Sequence, residues 1–187
     1  MVARAEAAAA TGERILDAAV EVFWESPGAV SLEEVARRAD VSVQTVIRRF
    51  GGRDGLMAAA GEREAERVVE QREQAPVGDA AGAVRILVDH YEAMGDRVVK
   101  MLAEEERVPV LRELADRGRE LHRRWCARVF APALRGRSGV ERERRLAQLV
   151  AICDVYNWKL LRRDGGLSRR QTELAMVELL EPILEGS

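Results

Sequence analysis

The spacing of the apolar residues constrains the fold of this chain more than any other feature. Apolar side chains recur every three or four residues along nearly the whole sequence, which is the period of an α-helix with one face turned to a core. The first such stripe is formed by Ile15, Ala18, Ala19, Val22 and Phe23. No segment alternates apolar and polar residues as a half-buried strand would, so the pattern predicts an all-α fold of about nine helices.

Residues that cap or break helices mark the first three helix ends. Thr11 is predicted to cap the first helix, Ser31 with Glu34 to form a capping box for the second, and Ser42 to cap the third. A double glycine at 51–52 then ends the third helix. The second and third helices are therefore short and are separated by only a few residues, which is typical of a helix-turn-helix.

Longer helices are expected in the rest of the chain. They are predicted near residues 53–71, 83–102, 111–129, 141–163 and 169–184. A linker is expected over 74–78, because proline and glycine interrupt the pattern there, and Val108-Pro109 breaks the next helical stripe. Ser168 with Gln171 predicts a second capping box at the start of the last helix.

The helix-turn-helix region is locally basic although the chain is not. The chain has 30 basic and 32 acidic side chains, a formal charge of −2, which excludes a histone-like protein that binds DNA through its bulk charge. Between positions 37 and 53 the single acid is Asp40. The five arginines of this stretch are Arg37, Arg38, Arg48, Arg49 and Arg53. They are suited to phosphate contacts, and the alternative is that they pair with Glu33 and Glu34.

Several short segments in register carry a family resemblance. They are Thr11, Ile15-Leu16-Asp17-Ala18-Ala19, Val35-Ala36-Arg37-Arg38-Ala39, Val41-Ser42, Thr45-Val46-Ile47 and Phe50-Gly51-Gly52-Arg53-Asp54-Gly55-Leu56. Through them, residues 11–56 resemble the DNA-binding domain of the TetR family of bacterial transcriptional regulators, and we expect an AcrR-like member. The sequence departs from the family pattern at five positions. Asp40 replaces a turn glycine, Gln44 a small residue, Ile47 a tyrosine, Arg49 a frequent histidine and Arg53 a lysine.

The resemblance implies that residues 11–56 bind double-stranded operator DNA, with the third helix in the major groove. The DNA-binding residues that we expect are Ser31, Ser42, Gln44, Thr45, Ile47, Arg48, Arg49 and Arg53. The side chain of Gln44 is suited to bidentate hydrogen bonds with adenine. Because Ile47 lacks the hydroxyl that the family commonly directs to a phosphate, we expect Arg48 or Arg49 to take over that contact.

The resemblance by motif does not extend beyond about residue 72. The family implies that residues 57–187 form a helical effector-binding and dimerisation domain, joined to the first domain by a long helix that reaches about residue 72. Polar or aromatic side chains within apolar stripes are candidates for an effector pocket. They are His90, Met94, His122, Trp125 and Asn157. The alternative is that these side chains are hydrogen-bonded within the core.

The last two predicted helices carry apolar residues on more than one side, so they need a second cover. In the family that cover is a second subunit, and the resemblance therefore implies a homodimer. The interface residues that we expect are Val155, Trp158, Val177, Leu180 and Leu184. The alternative is a larger core within one chain.

No motif in the sequence indicates an enzyme. There is no Gly-x-Ser-x-Gly elbow, phosphate-binding glycine loop or metal-ligand helix, so we expect no catalysis, no metal and no cofactor. Cys126 and Cys153 lack zinc-site spacing and are predicted to be buried thiols in a reducing cytoplasm. No apolar run approaches the roughly 18 to 20 residues of a membrane helix, and no membrane contact is expected.

These features predict a DNA-binding transcriptional regulator, a repressor that a small apolar ligand releases from a palindromic operator. The alternative is a helical protein-interaction module with a weakened DNA-reading surface. It is suggested by Asp40, Ile47 and the acidic pair Glu33-Glu34, which depart from a standard recognition surface.

Overall fold

The computed structural model describes residues 2–27 and 29–185 and confirms the all-α prediction within those ranges. The helices are α1 (Val2–Glu25), α2 (Leu32–Arg38), α3 (Val43–Phe50), α4 (Arg53–Glu73), α5 (Ala80–Glu104), α6 (Pro109–Val129), α7 (Ala131–Leu134), α8 (Gly139–Ile152), α9 (Val155–Lys159) and α10 (Arg169–Glu185), with a π-helical segment (Leu160–Asp164) after α9. The break predicted at Val108-Pro109 is present, because α6 begins at the proline.

The chain forms two compact units whose boundary lies within α4. The N-terminal unit extends through Val69 and the C-terminal unit begins at Glu70. In the N-terminal unit α1 packs against α2, and α2 packs against α3. The largest fully buried side chains there are Ile15, Val35, Val46 and Leu56. The helical stripes of the sequence therefore supply this core.

The first helix begins earlier than the sequence suggested. Thr11 lies in the middle of α1, and its hydroxyl donates to the carbonyl of Ala7 at 2.9 Å. The prediction that Thr11 caps this helix is therefore wrong. The preceding run of alanines, 7–10, explains the difference, because alanine is the strongest helix former and extends the helix towards the N-terminus.

In the C-terminal unit α5 packs against α6, α9 and α10, while α8 packs against α6 and α10. The core that results contains Leu87, Tyr91, Trp125, Phe130, Leu149, Trp158, Met176 and Leu180. At the start of α10 the predicted capping box is complete. The amide of Gln171 donates to the Ser168 hydroxyl at 3.3 Å, and the amide of Ser168 donates to the Gln171 side chain at 3.1 Å.

The helix predicted over 141–163 is interrupted. α8 ends at Ile152, and Asp154 begins α9 by accepting a hydrogen bond from the amide of Tyr156. Two side chains satisfy carbonyls at this break. The Tyr91 hydroxyl donates to the carbonyl of Cys153 at 2.9 Å, and the Asn157 amide donates to the carbonyl of Ile152 at 2.7 Å. The break therefore leaves neither carbonyl orphaned.

Candidate nucleic-acid interface and effector site

The helix-turn-helix is formed by α2 and α3, and both helices are capped by the predicted serines. The hydroxyl of Ser31 accepts from the amide of Glu34, and that of Ser42 from the amide of Thr45, each at 3.2 Å. At the other end of α3, Gly51 adopts a left-handed conformation with φ of 79°, and its amide donates to the carbonyl of Ile47. The Ser42 side chain and the Gly51 backbone thus set the two ends of α3.

Asp40 occupies the turn between the two helices in a left-handed conformation. Its φ is +53°, and it is the only residue other than glycine with a positive φ in the part of the chain that the structure describes. Glycine adopts such a conformation without steric cost, and aspartate is one of the few other residues that tolerate it. The substitution seen in the sequence therefore keeps the turn but adds backbone strain and a negative charge.

Arg37 and Arg38 both form ion pairs within the N-terminal unit. Arg37 contacts the Glu34 carboxylate at 2.7 Å, and Arg38 contacts both Glu34 at 2.7 Å and Glu25 of α1 at 2.6 Å. Hydrogen bonds from Arg37 and then Arg38 lower the pKa of Glu34 to about 2. Glu34 therefore does not complete the predicted capping box, whose hydroxyl half alone is formed. The alternative of pairing is correct for these two arginines as regards Glu34, whereas Glu33 accepts a hydrogen bond from the Ser31 hydroxyl instead.

The outward face of α3 presents three of the predicted DNA-binding side chains. Gln44 and Arg48 are exposed, and Ile47 is 45% exposed, while Val46 faces the core. Thr45 is half-buried, with its hydroxyl 2.9 Å from that of Ser42. Arg53 lies exposed at the start of α4. A polar, an apolar and a basic side chain thus lie together on the outward face of α3.

Arg49 differs from Arg48 in how it is held. Its guanidinium lies 5.9 Å from the centre of the Phe50 ring and rests against α1 at Gly12. A β-carbon at position 12 would overlap the guanidinium. Arg49 is therefore positioned by α1, whereas Arg48 forms no ion pair with any described residue.

Three of the five predicted pocket residues meet around an arginine that the sequence analysis missed. Arg72, near the end of α4, is only 6% exposed. Its Nη1 donates to His122 Nδ1 at 2.9 Å, and its guanidinium lies 5.5 Å from the centre of the Trp125 ring and 5.9 Å from that of Tyr91. Together with His90 these residues form what we name the Arg72 cluster: Arg72, His90, Tyr91, His122 and Trp125.

The hydrogen bonds of the cluster define the protonation of both histidines. Because Arg72 donates to Nδ1 of His122, the ring proton is on Nε2, which donates to the carbonyl of Val150 at 3.2 Å. His90 Nδ1 donates to the Gln71 side chain at 3.2 Å. Burial, and then the charge of Arg72, lower the pKa of His90 to about 4. Both rings are therefore neutral, and the only cation in the cluster is Arg72.

The other two predicted pocket residues lie elsewhere in the C-terminal unit. Met94 is half-buried on α5, and the Asn157 side chain is used at the break between α8 and α9. Arg72 escaped the sequence analysis because it stands among polar residues at a helix end, where an arginine is normally solvated. Its partner His122 is 50 residues away, so no local spacing indicates the contact.

The structure corrects part of the predicted dimer surface. Val155, Trp158 and Leu180 are at most 5% exposed within a single chain, so these side chains form the core rather than an outer surface. Val177 and Leu184 are half-buried. The prediction failed because the break at Asp154 turns α9, and with it Trp158, towards α5. Large apolar side chains that are exposed on α9, the π-helical segment and α10 are Tyr156, Leu160, Leu174 and Leu179.

The two cysteines are buried free thiols, as predicted. They are close enough to interact: the hydrogen bond between the two thiols lowers the pKa of Cys126, and the same bond together with burial raises the pKa of Cys153. Among the described residues no group of histidine, cysteine and acidic side chains is arranged to hold a metal ion. None of the helices described is both long and apolar enough to cross a membrane.

Comparison with known proteins agrees with this geometry. Residues 15–60 match the family described as bacterial regulatory proteins, tetR family. A transcriptional regulator from Rhodococcus sp. Rha1 has a similar structure, with a TM-score of 0.65 and 24% identity over 94% of this chain and 96% of that one. A TetR-family member from Streptomyces coelicolor A3 gives a TM-score of 0.60 and 21% identity over 90% of this chain and 97% of the other.

A third similar structure is the multidrug binding protein EbrR, solved in complex with imidazole. Its TM-score is 0.56 and its identity 22%, over 89% of this chain and 88% of that one. No curated protein matches the sequence. Residues 15–60 thus match the tetR family of bacterial regulatory proteins, and the fold of the chain is similar to that of solved transcriptional regulators, one of which is a TetR-family member.

Proposed function

We propose that this protein is a DNA-binding transcriptional regulator, a homodimeric repressor that releases a palindromic operator when a small molecule binds its C-terminal unit. The observation that carries the proposal is the outward face of α3, where Gln44, Ile47 and Arg48 project from a helix that is capped at both ends. The match of residues 15–60 to bacterial regulatory proteins supports it. The cytoplasmic location and the AcrR-like subtype stay predictions.

The placement of the side chains suggests which of them contact bases and which contact phosphates. Gln44, in the first turn of α3, is assigned to a base edge, because its amide can both donate to and accept from adenine. Arg48 is assigned to the phosphate contact that the family tyrosine makes, since it projects freely while Arg49 is held against α1. Ser31 and Ser42 cap helix N-termini, which favour a nearby phosphate.

For the homodimer, we assign the second copy to a face of α10 that includes Leu174, Val177 and Leu184. These residues are spaced three and seven apart and so share one side of the helix. Leu174 is 58% exposed, and Leu160 of the π-helical segment is 61% exposed. A two-fold dimer presents two recognition helices to half-sites about one helical turn of DNA apart.

Release by an effector follows from linkage. If the effector binds better to a dimer whose recognition helices no longer match the half-site spacing, it must lower the affinity for DNA. A coupling of about 1 to 3 kcal/mol corresponds to roughly 5- to 150-fold, which is sufficient for induction. The EbrR structure contains imidazole, which shows that a protein of this fold binds a small molecule.

The test is selection of bound sequences from random double-stranded DNA with the purified full chain, followed by salt titrations on the selected site. We expect a palindrome. Arg48→Ala should weaken binding to all sequences similarly and reduce the salt slope by about two, one for each subunit of the dimer, whereas Gln44→Ala should relax preference at one base position of each half-site. Arg85→Ala, at an exposed position on α5, is the matched control and should change neither.

The exposed apolar side chain of Ile47 favours one alternative, a helical protein-interaction module that does not read DNA. The same titration separates the two functions. Retention on DNA that falls steeply with salt and depends on sequence supports the regulator. A protein that selects no sequence and whose weak retention is unaffected by Arg48→Ala would contradict it.

A further inference from the structure

Arg72 is the only buried arginine among the described residues, and it has no acidic partner there. Arg63, on the same helix, contacts the carboxylates of Glu13 at 3.0 Å and Asp17 at 2.9 Å. Arg72 is 6% exposed and contacts no carboxylate of the described chain. A buried charge without a counter-charge is costly, so proteins normally pair it.

The free side of the guanidinium has a defined geometry. Nη1 alone donates a hydrogen bond to a described side chain, that of His122, and Nε is buried without any partner. Nε and Nη2 form the side edge of the guanidinium, which matches the two oxygens of a carboxylate. The cluster therefore holds an unused pair of parallel donors.

The surroundings of Arg72 do not supply the missing negative charge. His90 and His122 are both neutral, and their ring protons are committed to Gln71 and to the carbonyl of Val150. The rings of Tyr91 and Trp125 flank the guanidinium. Arg128 adds a second cation nearby, which donates to the carbonyls of Arg72 and Ala75. The site is thus positive and is bordered by aromatic surface.

We infer that the effector is an organic carboxylate with an apolar or aromatic body, and that the Nε–Nη2 edge of Arg72 binds its carboxylate. This inference rests on the proposed effector-binding role of the C-terminal unit and adds the chemical class of the ligand. It keeps the expectation of a largely apolar molecule but excludes cationic compounds, which the charge of Arg72 would repel.

The inference can be tested with the full chain in the absence of DNA. The probes are benzoate, phenylacetate and indole-3-acetate, each compared with its own neutral amide, and inorganic phosphate. His90 and His122 are the only two histidines of the chain, so their ring signals in NMR spectra report binding at this cluster. We expect saturable shifts of both signals with at least one carboxylate, and at least about 10-fold weaker binding of its amide.

Substitutions at Arg72 locate the charge that is responsible. Arg72→Met should remove the preference for carboxylate over amide, and Arg72→Lys, which keeps the charge but loses the fork, should reduce it. Arg85→Met makes the same change in net charge at an exposed position on α5, and it should leave the preference for carboxylate over amide unchanged. Circular dichroism checks that each variant is folded. Should Arg72→Met fail to fold, the Arg72→Lys variant and the comparison of each acid with its amide still show whether Arg72 binds the carboxylate.

Several results would overturn the inference. They are equal binding of acid and amide, an unchanged preference in Arg72→Lys, binding of phosphate alone, or no binding of any probe at tens of millimolar. Operator affinity is measured separately. A carboxylate that shifts the histidine signals without changing operator affinity would contradict the proposed induction mechanism while leaving the anion site established.

Discussion

Gly95, in the interior of α5, is expected to be required by the ring of Trp158. A β-carbon at this position would lie 2.7 Å from Cη2 of Trp158 and closer still to Cζ3, well inside van der Waals contact. The ring cannot easily move away, because Trp158 is 0% exposed and its indole nitrogen donates to Glu92 at 3.3 Å. The site therefore predicts overpacking in a Gly95→Ala variant.

The magnitude follows from two opposing effects. Replacing a helix-interior glycine by alanine stabilises a helix by about 0.5 to 1 kcal/mol. Overpacking of a core costs about 1 to 3 kcal/mol. Gly118, in the interior of α6, has no neighbouring heavy atom within 4 Å of its added β-carbon, so Gly118→Ala experiences only the first effect. We therefore expect Gly118→Ala to stabilise the protein. The free energy of unfolding of the Gly118→Ala variant should exceed that of the Gly95→Ala variant by about 1 to 3 kcal/mol.

The assay is urea unfolding followed by circular dichroism and by the fluorescence of the three tryptophans, two of which, Trp125 and Trp158, lie in the C-terminal unit. A double variant, Gly95→Ala with Trp158→Phe, should recover part of the loss beyond the sum of the single changes, because the smaller ring makes room. Equal stability of Gly95→Ala and Gly118→Ala would refute the packing argument.

Three further predictions concern other parts of the chain. Asp40→Gly should raise the free energy of unfolding of the N-terminal unit by about 0.5 to 1 kcal/mol, because it relieves a left-handed aspartate. Urea unfolding followed by circular dichroism measures the change, and a loss of stability contradicts the prediction. Tyr91→Phe should lower the free energy of unfolding by about 1 to 3 kcal/mol, because the carbonyl of Cys153 loses its buried hydrogen-bond donor. An unchanged midpoint of urea unfolding would show that the hydroxyl is dispensable. The pKa of Glu34 is lowered from 4.5 to about 2, so its ion pairs stabilise the fold fully above pH 4.5, and this stabilisation is lost as the pH falls towards 2. Glu34→Gln should therefore flatten the pH dependence of the free energy of unfolding between pH 4.5 and 2, and an unchanged slope would argue against these pairs.

The features that the sequence predicted correctly depend on residues close together in the chain. The caps at Ser31, Ser42 and Ser168 each involve a partner three residues away, so spacing alone indicates them. The α-helical period likewise needs no knowledge of tertiary structure. Even a local signal can fail, however: Thr11 resembles a cap but is overruled by the alanines before it, whose helix propensity extends α1.

The features that the sequence could not reveal depend on contacts across the fold. Arg38 meets Glu25 over 13 positions, and Arg72 meets His122 over 50 positions. The break at Asp154 is stabilised by the Tyr91 hydroxyl from a different helix. Trp158 is expected on a dimer surface because it belongs to a second apolar stripe of the predicted helix, but within the single chain it is buried. In each case the contact is determined by tertiary packing, and the periodic pattern of the sequence does not indicate it.

The pairing of Arg37 and Arg38 with acids of their own unit also bears on how a regulator finds its site in a genome. Two of the five arginines in the helix-turn-helix region are held in these pairs with Glu25 and Glu34. Binding to arbitrary DNA is electrostatic, so its strength falls with every arginine that is withheld from phosphates. Fewer molecules are then sequestered along the chromosome, and a smaller cellular pool of the protein suffices to keep a specific operator occupied.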